Sequence, residues 1–130
     1  MKKIILLLLL SFAAIVANAQ YFISCDKRTH CTWNDYTDKY EDCESWEDNS
    51  LFEINENATM FTHTTSSMKS TYYIRSQKLD VNSDGEEIMI WDVVSDAGNK
   101  YTYVVCLDGK YINAAGDDFI VTFRIKRAFK

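Results

Sequence analysis

The chain has 130 residues, 14 basic side chains against 19 acidic ones, and a net charge of −5. An acidic chain repels phosphate backbones, which argues against nucleic-acid binding. Its length sets one domain rather than two, large enough to bury roughly 60–70% of the surface its unfolded form exposes.

Residues 1–19, "MKKIILLLLLSFAAIVANA", read as an export signal. Lys2 and Lys3 form the positive start, Ile4 to Val16 an apolar run broken only by Ser11, and Ala17-Asn18-Ala19 a small-x-small cleavage site. The run is too short for a comfortable membrane span. No cysteine follows it directly, so no lipid anchor is expected. The mature protein is expected to start near Gln20, with no stable membrane anchor after cleavage, and to reside in the periplasm or outside the cell. Loss of Lys2 and Lys3 takes the net charge from −5 to −7.

All four cysteines, Cys25, Cys31, Cys43 and Cys106, follow the signal. An even count in an exported chain reads as two disulfides, with three connectivities open. If both form, Cys106 must pair with one of the first three and staple the start of the domain to its later half. A zinc site using His30 or His63 is the weaker reading, because no C-x-x-C pair is present.

Residues 20 to 49 are rich in acids, aromatics and cysteine. Trp33, Tyr36, Tyr40 and Cys43 recur at spacings of three and four, which predicts a short helix from Thr32 to Trp46 capped by Thr32. A loop held by disulfides is the alternative. Trp33, Tyr36, Tyr40 and Trp46 lie among carboxylates, a pairing that suits sugar binding as well as a buried helix face. The need of a small domain for core rings favours burial.

From residue 50 the pattern changes to short alternating runs: "SLFEI", "TMFTHTT", "STYYIRSQ", "EEIMIWDVVS", "KYTYVVCL", "KYINA" and "FIVTFRIK". Tyr101, Tyr103, Val105 and Leu107 share one face, as do Phe119, Val121, Phe123 and Ile125. Turn residues separate the runs, and Asp108-Gly109 is a strong hairpin signal. Short connections between successive strands predict a mainly β, single-domain antiparallel meander over residues 50–127, curled into a small barrel or folded as a sandwich.

Three motifs invite chemistry. In "DVNSDGEE", Asp80, Asn82, Asp84 and Gly85 match the first half of a calcium-binding loop, but the twelfth position is Trp91 instead of glutamate. The expectation is an ordinary turn, with weak calcium binding by Asp80, Asn82 and Asp84 as the sharper alternative. "THTTSS" places His63 among hydroxyls, without the G-x-S-x-G of a serine hydrolase, and His63 reads as structural. Asn57-Ala58-Thr59 matches a glycosylation acceptor and reads as a turn.

The pattern "FEIN…THTT…STYYI" followed by "VVSDAGNKYTYVV" resembles uncharacterised small exported bacterial proteins, with "SDAGNKY" the most distinctive piece. The resemblance leaves residues 20 to 49 outside. It implies a β-rich domain and carries over no activity.

These observations lead to the expectation of a non-enzymatic exported binding protein, without catalytic residues or a resident cofactor. It would hold a small apolar molecule in a barrel mouth or a protein on an edge or loop. The alternative is a small secreted carbohydrate-active hydrolase or carbohydrate-binding module.

Overall fold

The computed structural model describes residues 20–129, so the expected signal segment lies outside the described residues. Eight strands follow one another: β1 (Tyr21–Asn34), β2 (Lys39–Ile54), β3 (Met60–Thr64), β4 (Lys69–Val81), β5 (Glu87–Ser95), β6 (Lys100–Cys106), β7 (Tyr111–Ala115) and β8 (Phe119–Phe129). Each pairs antiparallel with the next, and β8 returns to pair with β1. The meander therefore closes into a barrel, which decides between the two architectures left open by the sequence. The seven alternating runs beginning at residue 50 all appear as strands, the first as the end of β2.

Alternation along the strands fills the interior. Tyr21, Ile23 and Cys25 of β1 point inward and meet Phe52 and Ile54 of β2, Phe61 of β3, and Trp91 and Val93 of β5. Tyr103 and Val105 of β6, Ile112 of β7 and Phe123 of β8 complete the ring. An eight-stranded barrel has an interior just wide enough for side chains to fill, and here aromatic rings and aliphatic chains share the filling.

The expected helix from Thr32 to Trp46 is absent. That stretch is the end of β1, a turn at residues 35–38, and the outer half of β2. Asn34 builds the turn. Its side-chain oxygen accepts from the Tyr36 amide at 2.9 Å, and its carbonyl accepts from the Asp38 amide at 2.8 Å. Tyr36 is fully exposed on this turn, so the helical spacing of Trp33, Tyr36, Tyr40 and Cys43 is coincidental. The true period-2 signal was hidden by register shifts between Cys25 and Lys27 and between His30 and Thr32. An extra residue in a strand switches the face of everything after it, so a bulged strand does not alternate when read straight through.

The expectation of two disulfides is also corrected. Cys31 and Cys43 are bonded across the β1–β2 hairpin, while Cys25 and Cys106 are free and buried. The physical reason lies in the faces they occupy. Cys25 belongs to the interior core, whereas Cys106 alternates outward between Val105 and Leu107, which are inside. Two thiols on opposite faces of a sheet cannot meet. The start of the domain is joined to its end by the β1–β8 ladder, not by a covalent bond.

Thiol labelling tests this pairing. Alkylation of the oxidised native protein is expected to leave both free cysteines unmodified, because both are buried. In denaturant two thiols should react, with Cys31 and Cys43 protected until a reductant is added. Four protected cysteines would refute the assignment.

Candidate functional site

One mouth of the barrel, at the end carrying the β1–β2, β3–β4 and β7–β8 turns, retains an open cup of about 150 Å³. Its lining comes from most of the barrel: Arg28 of β1, His63 of β3, Met68 of the β3–β4 turn, Tyr72 of β4, Tyr101 and Tyr103 of β6, Ala114 of β7, and Phe119, Val121 and Phe123 of β8. Below it the barrel is plugged by rings. Phe61 lies 4.9 Å from Tyr103 and 5.7 Å from Trp91, and Phe52 meets Phe123 edge-on at 5.2 Å. Gly116 in the β7–β8 turn leaves room for the Phe119 ring, which a methyl group at that position would strike.

Arg28 reaches this cup because of a bulge. Tyr21, Ile23 and Cys25 set an odd-numbered inward face on β1, which would send Arg28 outward. The shift at Asp26 reverses the alternation, so Arg28 turns inward. Asp26 is turned out and accepts from Arg124 of β8 at 2.8 Å. That hydrogen bond is the main reason the Asp26 carboxyl lies below the usual range.

Arg28 packs over the Phe123 ring at 5.0 Å and near Trp46 at 6.0 Å, a cation–π arrangement. One terminal nitrogen, Nη2, contacts Asp48 at 2.7 Å. Its Nε is buried without a hydrogen-bond partner in the protein. His63 stacks flat on Phe52 at 4.3 Å and meets Phe123 edge-on at 5.0 Å. Its Nε2 is likewise buried without a partner. Burial, with the nearby Arg28 charge adding to it, pushes the His63 pKa down to about 4, so the ring is neutral near pH 7. Tyr103 is hydrogen-bonded to Tyr72, and burial is the main reason its phenol stays protonated far above the ordinary range. The cup lining thus combines aromatic walls with two polar residues, Arg28 and His63.

The sequence candidates are distributed differently. Of Trp33, Tyr36, Tyr40 and Trp46, Trp46 alone stands beside the cup, through Arg28. Trp33 and Tyr40 meet edge to face at 5.0 Å on the hairpin, so they form no flat stacking platform. Tyr36 is out on the turn. Sequence reading missed Arg28 and Tyr72 as cup residues. The inward faces that include Tyr103 and Phe123 were the usable signal, and the bulge concealed Arg28.

In the "DVNSDGEE" turn, the Asn82 side-chain oxygen accepts from the amides of Asp84 at 3.0 Å and Glu86 at 2.9 Å. The Asn82 amide donates to Glu86 Oε1 and to the Tyr111 hydroxyl, each at 3.1 Å. Asp80 accepts from the Val81 amide at 2.8 Å. Asn82 therefore spends its oxygen on turn geometry, and Trp91, at the position a calcium loop needs for glutamate, is buried in the core.

A different trio, Glu86, Cys106 and Asp108, brings possible metal-ligand atoms within 4.8 Å of one another. Lys110 already bridges its two carboxylates, at 2.6 Å from Glu86 and 3.1 Å from Asp108. The Cys106 thiol donates to Asp108 at 2.7 Å. Burial first, and that hydrogen bond next, push Cys106 up to about 11, so it is a thiol near pH 7. A metal here would have to displace both the ammonium and the thiol proton. As it stands, the trio and Lys110 form an ion-paired, hydrogen-bonded network tying the β4–β5 turn to the β6–β7 turn.

Among the described residues, no helix is long and apolar enough to cross a membrane. No protein-family model, no characterised protein and no solved structure matches the chain.

The His63 environment makes stability depend on pH. The folded state holds His63 below its unfolded value of 6.5, so the unfolded chain takes up the proton first as pH falls. The stability contribution is present above pH 6.5 and is lost progressively towards pH 4, by up to about 3 kcal/mol. Urea unfolding of the wild type and of His63→Phe at both pH values isolates this from the carboxylates. The wild type should lose more stability than the variant, and equal losses would refute it.

Proposed function

We propose that this protein is an exported, non-enzymatic binding protein that takes a small, largely apolar ligand in the aromatic cup at its barrel mouth. The observation that carries the reading is the cup itself, about 150 Å³ of space with mostly aromatic walls and two polar residues, Arg28 and His63, in its lining. Small-molecule sites generally have this composition, apolar walls with a few placed polar groups. Export rests on the signal-like residues 1–19 and is consistent with the Cys31–Cys43 disulfide.

A second reading, a protein partner, has its own support. Residues 39–50 of β2 pair with β1 but not with β3, whose ladder covers Leu51–Ile54. A strand with one unpaired edge is a template for an added strand, and this one carries the exposed aromatics Tyr40 and Trp46.

Native mass spectrometry of protein from an export-competent host, together with thermal unfolding in p-cresol, tests the first reading. The cresol is expected to raise Tm by about 5 °C at tenfold its Kd. Ala114→Leu, which places a larger side chain in the cup, should abolish the shift. A shift that survives Ala114→Leu would place binding elsewhere. No shift and no retained mass would move the weight to the β2 edge.

A further inference from the structure

Resting on the reading of the β2 edge as a docking site, we infer that its partner is a second copy of this chain, joined head to tail: the projecting part of β2 pairs in parallel with the projecting part of β4 in the next copy. Three features of the barrel lead there. The first is a matched pair of notches. β3 is short and pairs with residues 51–54 of β2 and 69–73 of β4. Beyond it β2 runs on towards the mouth beside β1, and β4 runs on to Val81 towards the opposite end beside β5. Among the described residues, no strand pairs with the other edge of either projection. Both free edges face the column that β3 fills only in the middle. A copy set above the mouth and turned by one strand position lowers its β4 projection into the notch above β3, beside β2. The β2 projection enters the notch below the new copy's β3. Because β2 and β4 are each antiparallel to β3, they run the same way and meet as a parallel pair. Residues 76–81 lie past the shift between Ile74 and Ser76, so this part of β4 is regular, and the β2 projection is long enough to cover it.

The second feature is charge. Residues 41–48 of β2 hold five acids and no base. Residues 75–81 of β4 hold two bases, Arg75 and Lys78, and one acid, Asp80. Like charges placed opposite each other across a strand pair are destabilising, so the acidic edge rejects a second β2 and accepts β4.

The third feature is exposed apolar surface at both projections. Leu79 lies opposite Met89, which packs against the core, so the register puts Leu79 and, two residues on, Val81 on the inner face of the sheet. They are nevertheless 58% and 57% exposed. Trp46 lies opposite the cup residue Arg28, on the inner face of β2, and is also exposed. Coaxial stacking keeps the inner faces on one side, so Leu79 and Val81 come down on the side of Trp46 and leave water. The contact joins two different surfaces, and each pair of copies still offers one free β2 and one free β4. Association of this kind continues into an open stack instead of stopping at a dimer.

Sedimentation equilibrium of protein from an export-competent host tests this. Between about 10 µM and about 1 mM the weight-average mass is expected to rise about fivefold, through dimer and trimer, as for open association with a Kd of about 0.1 mM. Lys78→Glu with Leu79→Glu blocks the β4 end, and Glu44→Lys with Glu47→Lys blocks the β2 end. Each blocked protein is expected to stay monomeric. Each keeps one good end, so an equal mixture should form a dimer that grows no further, a pattern that a symmetric contact does not give. All four positions are exposed, and circular dichroism checks the folding of each variant. Leu79→Glu alone serves if a double variant fails to fold, and the wild-type curve stands regardless. A wild type that stays monomeric would overturn the second copy as partner and leave the edge reading in place. A wild type that stops at the dimer would overturn the head-to-tail arrangement. Association that survives the changes at Glu44 and Glu47 would overturn the use of the edge itself.

Discussion

Closure of β8 onto β1 is the constraint on which the rest depends. The two strands share a ladder running from Phe22–Phe129 to Thr32–Phe119. An open sheet of eight strands would leave two unpaired edges and one uncovered apolar face. Closing it turns that face into an interior of fixed width, and the width decides how much side chain it can hold. The bulge at Asp26 belongs to this closure. It occurs in the strand that completes the barrel, and the Asp26–Arg124 hydrogen bond holds the ejected residue across the seam between β1 and β8.

Rings and aliphatic chains share the interior, and the rings shape the cup. Aromatic pairs prefer offset or edge-to-face contacts, as in Phe52–Phe123 and Phe61–Tyr103. Such rings close the middle of the barrel. Towards the mouth, the inward positions include Arg28, His63 and Ala114. The small Ala114 leaves space, and the two polar side chains are supported by aromatic faces rather than by a full set of hydrogen bonds.

The Cys31–Cys43 bond supports a hairpin that extends beyond the cover of β3. With β2 paired on one side along residues 39–50, that hairpin has fewer neighbours than the rest of the barrel. A covalent link across a short loop limits the disorder of the unfolded chain and restrains this extension. The hairpin also rests on the β7–β8 turn, where the Trp33 amide donates to Asp118 at 2.8 Å. The opposite end of the barrel uses charge instead. Lys110, Glu86, Asp108 and Asn82 connect two turns through ion pairs and hydrogen bonds.

The sequence by itself determined the β class, the single domain, and the strands from Leu51 onward. Turn residues such as Asp108-Gly109 separate those strands, most of which alternate along their length, β4 with a shift between Ile74 and Ser76; Gly109 adopts a positive φ of 84° in its turn. Local periodicity and turn chemistry suffice there because each signal acts within a few residues. Tertiary structure alone decided that Thr32 to Trp46 belongs to a long bulged hairpin instead of a helix, that Cys31 pairs with Cys43, and that Arg28 and His63 share one cup. The common reason is register. One extra residue at a bulge exchanges the inner and outer faces of a strand, and barrel closure brings strands distant in sequence into contact, so the identity of the facing side chains is set only when the ladder between β1 and β8 forms.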